Sequence, residues 1–289
     1  MRGRAGWAWA AARLWALGAL ALPLGAGCRA AKDAPARPVV AVSVIAQRWL
    51  VERLAGDQVE VVVMIPPGAR PDGYEPELAQ LRALARASLY LKVGHPHFAF
   101  EEAWTDRLLA ERPDLLVVDS AQGAPALEHD PHLWVSPRRM AAVVGPLADA
   151  LARVAPDGAA RIREREPALR AEIAETDAKL REILAPARGR SFVVLHPAWG
   201  QLAEDYGLIQ ISIQHENKEP DAHHLAGLVA RARALGVGVV FTQPQFDDNA
   251  ARVVADAIGA RVEHLDPLAP DWADNLEHVA RRIAAEARG

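Results

Sequence analysis

The chain has 289 residues, of which 51% are hydrophobic, a formal net charge of -4 and a single cysteine. A near balance of 33 basic and 37 acidic residues excludes the basic footprint of a nucleic-acid binder. One cysteine excludes an internal disulfide and a thiolate-rich zinc site.

In chain order, residues 1–28 read as a secretory signal and not as fold. Arg2, Arg4 and Arg13 give a basic start, and Leu14 to Gly27 is wholly apolar or small. That stretch is too short to span a bilayer as a helix. Cys28 closes it, after Leu24-Gly25-Ala26-Gly27, and is the candidate for lipidation. Residues 29–38 are short and rich in Pro and Ala, as a tether would be. No later apolar segment reaches transmembrane length. About 250 residues remain, enough for two lobes.

The first lobe is expected over 39–154. Val39–Ile45, Val59–Ile65, Leu89–Val93 and Leu115–Val118 are β-branched runs that read as buried strands. Helices are expected at Gln47–Leu54, Glu77–Ala87, Ala99–Glu111 and Pro137–Val154. A linking helix is expected over 155–186. It carries Ile162, Leu169, Ile173, Leu180 and Ile183 as one narrow apolar stripe, and Pro167 should kink or break it. The second lobe is expected over 189–289. Its strands are Phe192–Leu195, Leu208–Ile213, Val237–Phe241 and Arg261–Leu265, with helices near Trp199–Tyr206, Asp221–Leu235, Asp247–Ile258 and Trp272–Ala287. Asp221, after Pro220, is an expected N-cap. The fold class is therefore α/β: two lobes, each a roughly four-stranded parallel sheet flanked by helices, joined by one long helix.

The chemistry lies at the ends of these strands. His95, His132, His196 and Asp266 each follow a run read as a strand, and Asp72 lies in the loop after another. A parallel sheet gathers its strand C-termini at one edge, where ligands bind. Imidazole and carboxylate suit a divalent transition metal. Asp130 is a possible partner that orients an imidazole. The other histidines read as bystanders: His97 as a neighbour of His95, His129 as solvent-facing, His215 as a remote candidate, His223, His224 and His278 as surface, and His264 as a strand neighbour of Asp266 that points the opposite way or lies away from the edge. Trp134 and Trp199 read as cleft walls that exclude water, and Glu219 as structural.

Five strings lie in order: Pro66-Pro67-Gly68 with Tyr74-Glu75-Pro76; Asp130-Pro131-His132-Leu133-Trp134; Leu195-His196-Pro197-Ala198-Trp199-Gly200 with Tyr206-Gly207-Leu208; Gln243-Pro244-Gln245-Phe246; and Leu265-Asp266-Pro267-Leu268. Together they resemble the zinc/manganese solute-binding proteins of bacterial ABC transporters, the cluster A-I metal-binding lipoproteins. The resemblance implies two α/β lobes around one metal, with His132, His196 and Asp266 as ligands. It implies a monomeric, non-enzymatic receptor in the periplasm or lipid-anchored on the outer face of the cytoplasmic membrane. Its partner would be an ABC permease. Zn²⁺ is the first expected cargo, with Mn²⁺ or Fe²⁺ as alternatives.

One departure matters. The family loop reads Pro-His-x-Tyr-Glu-Pro, and its histidine is a ligand; here Asp72 stands in that place. Asp72 ligates in its stead, or His95 completes the site, or the site is weakened. The spacing favours His95, because Gly94 and His95 follow a strand at once. Asp72 lies several residues out along a Pro- and Gly-rich loop. Two other classes fit the same residues. A zinc hydrolase is disfavoured because no HExxH helix is present and Glu75 is the nearest candidate base. A surface adhesin retaining the fold is the other.

Overall fold

The computed structural model describes residues 37–123, 125–214 and 222–286. The expected signal, Cys28, most of the tether, His215, Glu219 and the cap at Asp221 lie outside the described residues.

The first sheet contains β1 (Val39–Val44), β2 (Glu60–Ile65), β3 (Leu89–Lys92) and β4 (Leu116–Asp119). They lie in the order β2-β1-β3-β4, all parallel. Parallel neighbours cannot be joined by a hairpin, so helices cross between them. These are α1 (Ile45–Ala55), α2 (Leu78–Arg86) and α3 (Asp106–Ala110). β1 is central, and its burial is continuous, not alternating, as expected of a strand covered on both faces. The second sheet repeats the plan with β5 (Ser191–Val194), β6 (Ile209–Ser212), β7 (Val239–Thr242) and β8 (Arg261–His264), ordered β6-β5-β7-β8. Its helices are α6 (Gly200–Tyr206), α7 (Ala222–Ala234), α8 (Asn249–Ile258) and α9 (Trp272–Glu286). In each sheet the chain reverses direction around the first strand. The switch points lie between β1 and β3 and between β5 and β7, and a crevice opens at such points.

Between the sheets come α4 (Pro137–Val154) and α5 (Ala159–Leu184). Ser136 caps α4 by accepting from the Arg139 N–H, and Pro137 starts it where no N–H is needed. The 26 residues of α5 run through Pro167 without a break. Its buried stripe is Ile162, Leu169, Ile173, Leu180 and Leu184, together with Thr176. Leu184 takes the place expected for Ile183, because a step of four after Leu180 stays on the stripe better than a step of three. The stripe packs against α1, α4 and α9. The flanking ion pair Arg53–Glu172 is exposed, so it contributes about 0–1 kcal/mol; Lys179–Glu277 pairs α5 with α9 at 3.0 Å.

One hydrophobic cluster runs from β1 and β3 through α4 and α5 into Phe192, Val194, Phe241, Leu265 and Trp272. The alternate residues Val193, Leu195 and Val240 face a smaller cluster under α7 and α8. The period-two geometry of a strand separates the two sets. A core shared across both lobes makes their relative position part of the fold. Buried Arg139 reinforces it, pairing with Asp205 at 3.2 Å and Glu204 at 2.8 Å on α6.

The segment expected as a plain helix over Ala99–Glu111 is helical from Ala99 but carries a π-helical turn, Glu101–Thr105, before α3. Buried Glu101 explains the local distortion. Its carboxylate accepts the N–H groups of Val93 at 2.6 Å and Gly94 at 2.8 Å, and the Ser43 hydroxyl donates to it as well. Burial pushes its pKa up, against the pull of those donors. Gly94 has φ 77°, and a Cβ there would collide with the Asp119 carboxylate. The turn that leads from β3 to His95 is therefore held by Glu101 and open only to glycine.

Candidate metal centre

His196 follows β5 and is buried at 5% exposure. His132, at 8% exposure, does not follow a strand as expected. β4 ends at Asp119, and His132 comes at the end of the loop beyond it, directly before the short turn Leu133–Val135. The two Nε2 atoms nonetheless lie 3.3 Å apart, with the rings at 78°.

Asp130 sets the chemistry of His132. Its Oδ1 accepts from the His132 Nδ1–H at 2.7 Å and from the His132 backbone N–H at 3.0 Å. Burial opposes the charge on Asp130, but the bonds to His132 and the Gln201 N–H outweigh it, so its pKa is lowered. An ionised carboxylate only accepts, so Nδ1 carries a proton and Nε2 is the nitrogen turned toward His196. Burial, with the charges of His132 and Arg70 adding to it, pushes the pKa of His196 down to about 3. His196 is therefore a neutral imidazole at physiological pH. Gln201, in the first turn of α6, fixes the loop from the other lobe: its side chain donates to the Asp130 carbonyl at 2.5 Å and accepts from the Leu127 N–H at 3.3 Å.

The string Gln243-Pro244-Gln245-Phe246 follows β7 and positions the second lobe's candidates. Gln243 donates to the His196 carbonyl at 3.0 Å. Gln245 donates to Asp266 Oδ1 at 2.7 Å, and the Leu268 N–H donates to the same oxygen at 2.9 Å. Phe246 stacks on the His196 ring at 4.7 Å and 23°. The sequence carried these residues only as a motif; their separate tasks need coordinates.

Asp72 stands half-buried in the loop after β2. Burial raises its pKa, opposed by the charges of His132 and Arg70. The loop is pinned across the cleft by Arg70, whose guanidinium lies 4.5 Å over the Phe246 ring. His95 is also buried, but both its ring nitrogens have partners: Nε2 bonds the Leu127 carbonyl at 2.9 Å, and Nδ1 accepts the His97 N–H at 3.1 Å. Burial lowers its pKa, against the bond to Leu127. Among the described residues, no three His, Cys, Asp or Glu side chains are gathered into a cage; His132 and His196 are paired through their Nε2 atoms.

Trp134 is buried against His132, ring to ring at 5.2 Å, and its indole N–H donates to the Pro267 carbonyl at 2.8 Å. It therefore walls the cleft and ties the lobes together. Trp199, also expected to wall the cleft, is instead fully buried in the core cluster. His223, His264 and His278 are exposed, and His264 lies 3.1 Å from Asp248.

Comparison with known proteins fits this geometry. A family model described as zinc-uptake complex component A, periplasmic, matches residues 40–286. A crystal structure of ZnuA is 37% identical, with a TM-score of 0.81 over 87% of this chain and 99% of that one. A ZnuA deletion mutant with zinc bound is 36% identical, with a TM-score of 0.79 over 86% and 98%. The zinc-binding lipoprotein AdcA of Streptococcus pneumoniae is 26% identical over 244 residues, 75% of this chain and 47% of its own length.

Proposed function

We propose, from the premise that the chain belongs to the ZnuA family of periplasmic zinc-uptake components, that it captures one divalent transition-metal ion and delivers it to an ABC permease. Zn²⁺ is the first cargo and Mn²⁺ the second. The ion is held between a lobe of residues 39–154 and one of 189–289. The linking segment 155–186 and the shared core restrict the lobes to small shifts.

The observation that carries this reading is the His132–His196 pair. Two imidazole nitrogens on one tetrahedral zinc, at bond lengths of roughly 2.0–2.1 Å, stand about 3.3–3.4 Å apart. The two Nε2 atoms stand at 3.3 Å. The His196 ring is neutral, and the His132 ring is oriented by a carboxylate, as metal-ligating histidines usually are.

Asp266 is the third ligand in this reading, and Asp72 the fourth. The sequence spacing favoured His95, but that ring would have to break two backbone hydrogen bonds to ligate. Asp72 is half-buried, the charge of His132 acts on its carboxyl, and its loop is tied to the second lobe by the Arg70–Phe246 contact. Two histidines with two carboxylates form a harder donor set than three histidines with one, and tolerate Mn²⁺ or Fe²⁺ better. A site filled by four protein ligands leaves no open position, so it carries an ion and does not turn over a substrate. Cleavage near residue 28 and lipidation of Cys28 would keep the receptor at the outer face of the cytoplasmic membrane, as the name of the related lipoprotein suggests.

A deletion strain tests the reading. Its growth should fail in metal-chelated medium and recover with added Zn²⁺ or with the wild-type gene, but not with a His132→Ala/His196→Ala gene. Normal zinc uptake without the protein, or rescue by the double variant, would refute it.

A further inference from the structure

A second pair of imidazoles lies outside the proposed cargo site. His97 and His129 are both exposed, yet His97 Nε2 lies 3.2 Å from His129 Nδ1, with the rings 5.0 Å apart at 62°. The buried pair has almost the same geometry: 3.3 Å, 5.2 Å and 78°. Neither sequence spacing nor any motif brings His97 and His129 together. The turn after β3 and the loop after β4 do.

We propose that His97 and His129 form a second, weaker site for a borderline divalent ion such as Zn²⁺, Ni²⁺ or Cu²⁺. The separation matches the bite of two nitrogens on one tetrahedral ion, about 3.3 Å. Both rings stand on fixed backbone, so little freedom is lost on binding. His97 is held by its N–H bond to His95 Nδ1, and the turn is closed by the Phe98 N–H on the His95 carbonyl at 2.9 Å. His129 is flanked by Asp130 and Leu127, which Gln201 grips. Two protein donors leave the remaining coordination positions to water, so the ion exchanges readily. Affinity should follow the order in which Cu²⁺ binds most tightly. The site lies three residues from His132 along the same loop, so a weakly held ion there is within a short distance of the cargo site.

Calorimetric titration of the chain with Zn²⁺ tests this. The wild type should show a tight class and a second class about a hundredfold or more weaker, as expected for two ligands against four. His97→Ala and His129→Ala should each abolish the weak class and leave the tight class and the melting temperature unchanged. His97→Gln guards against an effect of the cavity. A His132→Ala/His196→Ala variant should lose the tight class and keep the weak one. A wild type that shows only the tight class, or a weak class that survives both alanine variants, would overturn the site. Loss of the tight class alone in the wild type would refute the proposed function and leave this inference standing.

Discussion

The two lobes present their candidate ligands differently. In the second, His196 and Asp266 come straight off β5 and β8, and the loop after β7 lying between them supplies Gln243 and Gln245 to hold both. In the first, His132 and Asp72 come from loops, and each loop is held from the other lobe as well as from its own: Gln201 grips the loop of His132, and Phe246 receives Arg70. One half of the site is thus built by its own sheet. The other half draws part of its support from across the cleft. The shared core makes that packing part of the fold.

The largest effect should come from the gathered pair. His132→Ala and His196→Ala should each weaken Zn²⁺ binding by about a thousandfold, or about 4 kcal/mol, measured by chelator competition. The fold should survive, since both residues sit at the crevice and not within either sheet. Equal loss from the two variants supports a site that needs both lobes; a mild loss from His132→Ala would break the comparison in favour of the second lobe alone.

The next effect separates the loop candidates of the first lobe. Asp72→Ala should cost about a hundredfold in Zn²⁺ affinity, whereas His95→Ala should cost less than about threefold, since only the former removes a donor in this reading. Asp72→His should sharpen preference for Zn²⁺ over Mn²⁺, by replacing a hard oxygen with an imidazole. The reverse ranking would return the ligand role to His95.

A smaller effect tests the support of the loop. Asp130→Asn removes the anionic acceptor of the His132 Nδ1–H and should cost about tenfold in affinity, the lower end for such supporting partners. Gln245→Ala, its counterpart for Asp266 in the second lobe, should cost less, because the Leu268 N–H still holds the same oxygen.

Much of the fold was legible in the sequence, because its strands are buried on both faces and read as unbroken apolar runs bounded by turns. The eight runs read as strands match β1 to β8 within one or two residues at each end. The stripe on α5 was legible except at its end, where Leu184 and not Ile183 continues the four-residue step. The π-turn at Glu101 was not, since it depends on a carboxylate bonding a turn seven residues away. His132 shows why strand ends were an incomplete guide. Its place is fixed by Asp130 and by Gln201 of the other lobe, contacts that leave no local pattern. The partners of His95 escaped for the same reason: Leu127 is 32 residues distant and contributes only a carbonyl. The pairing of His97 with His129 is likewise purely tertiary.

Zn²⁺ binding by the purified chain, followed by calorimetry and by thermal melting, tests the central claim most directly. One tight equivalent is expected, with a rise in melting temperature. A ligand bound only by the folded state contributes RT ln(1 + [L]/Kd), about 4 kcal/mol at a thousandfold excess over Kd. Absence of tight binding and of any thermal shift with Zn²⁺, Mn²⁺ and Fe²⁺ alike would contradict a metal receptor.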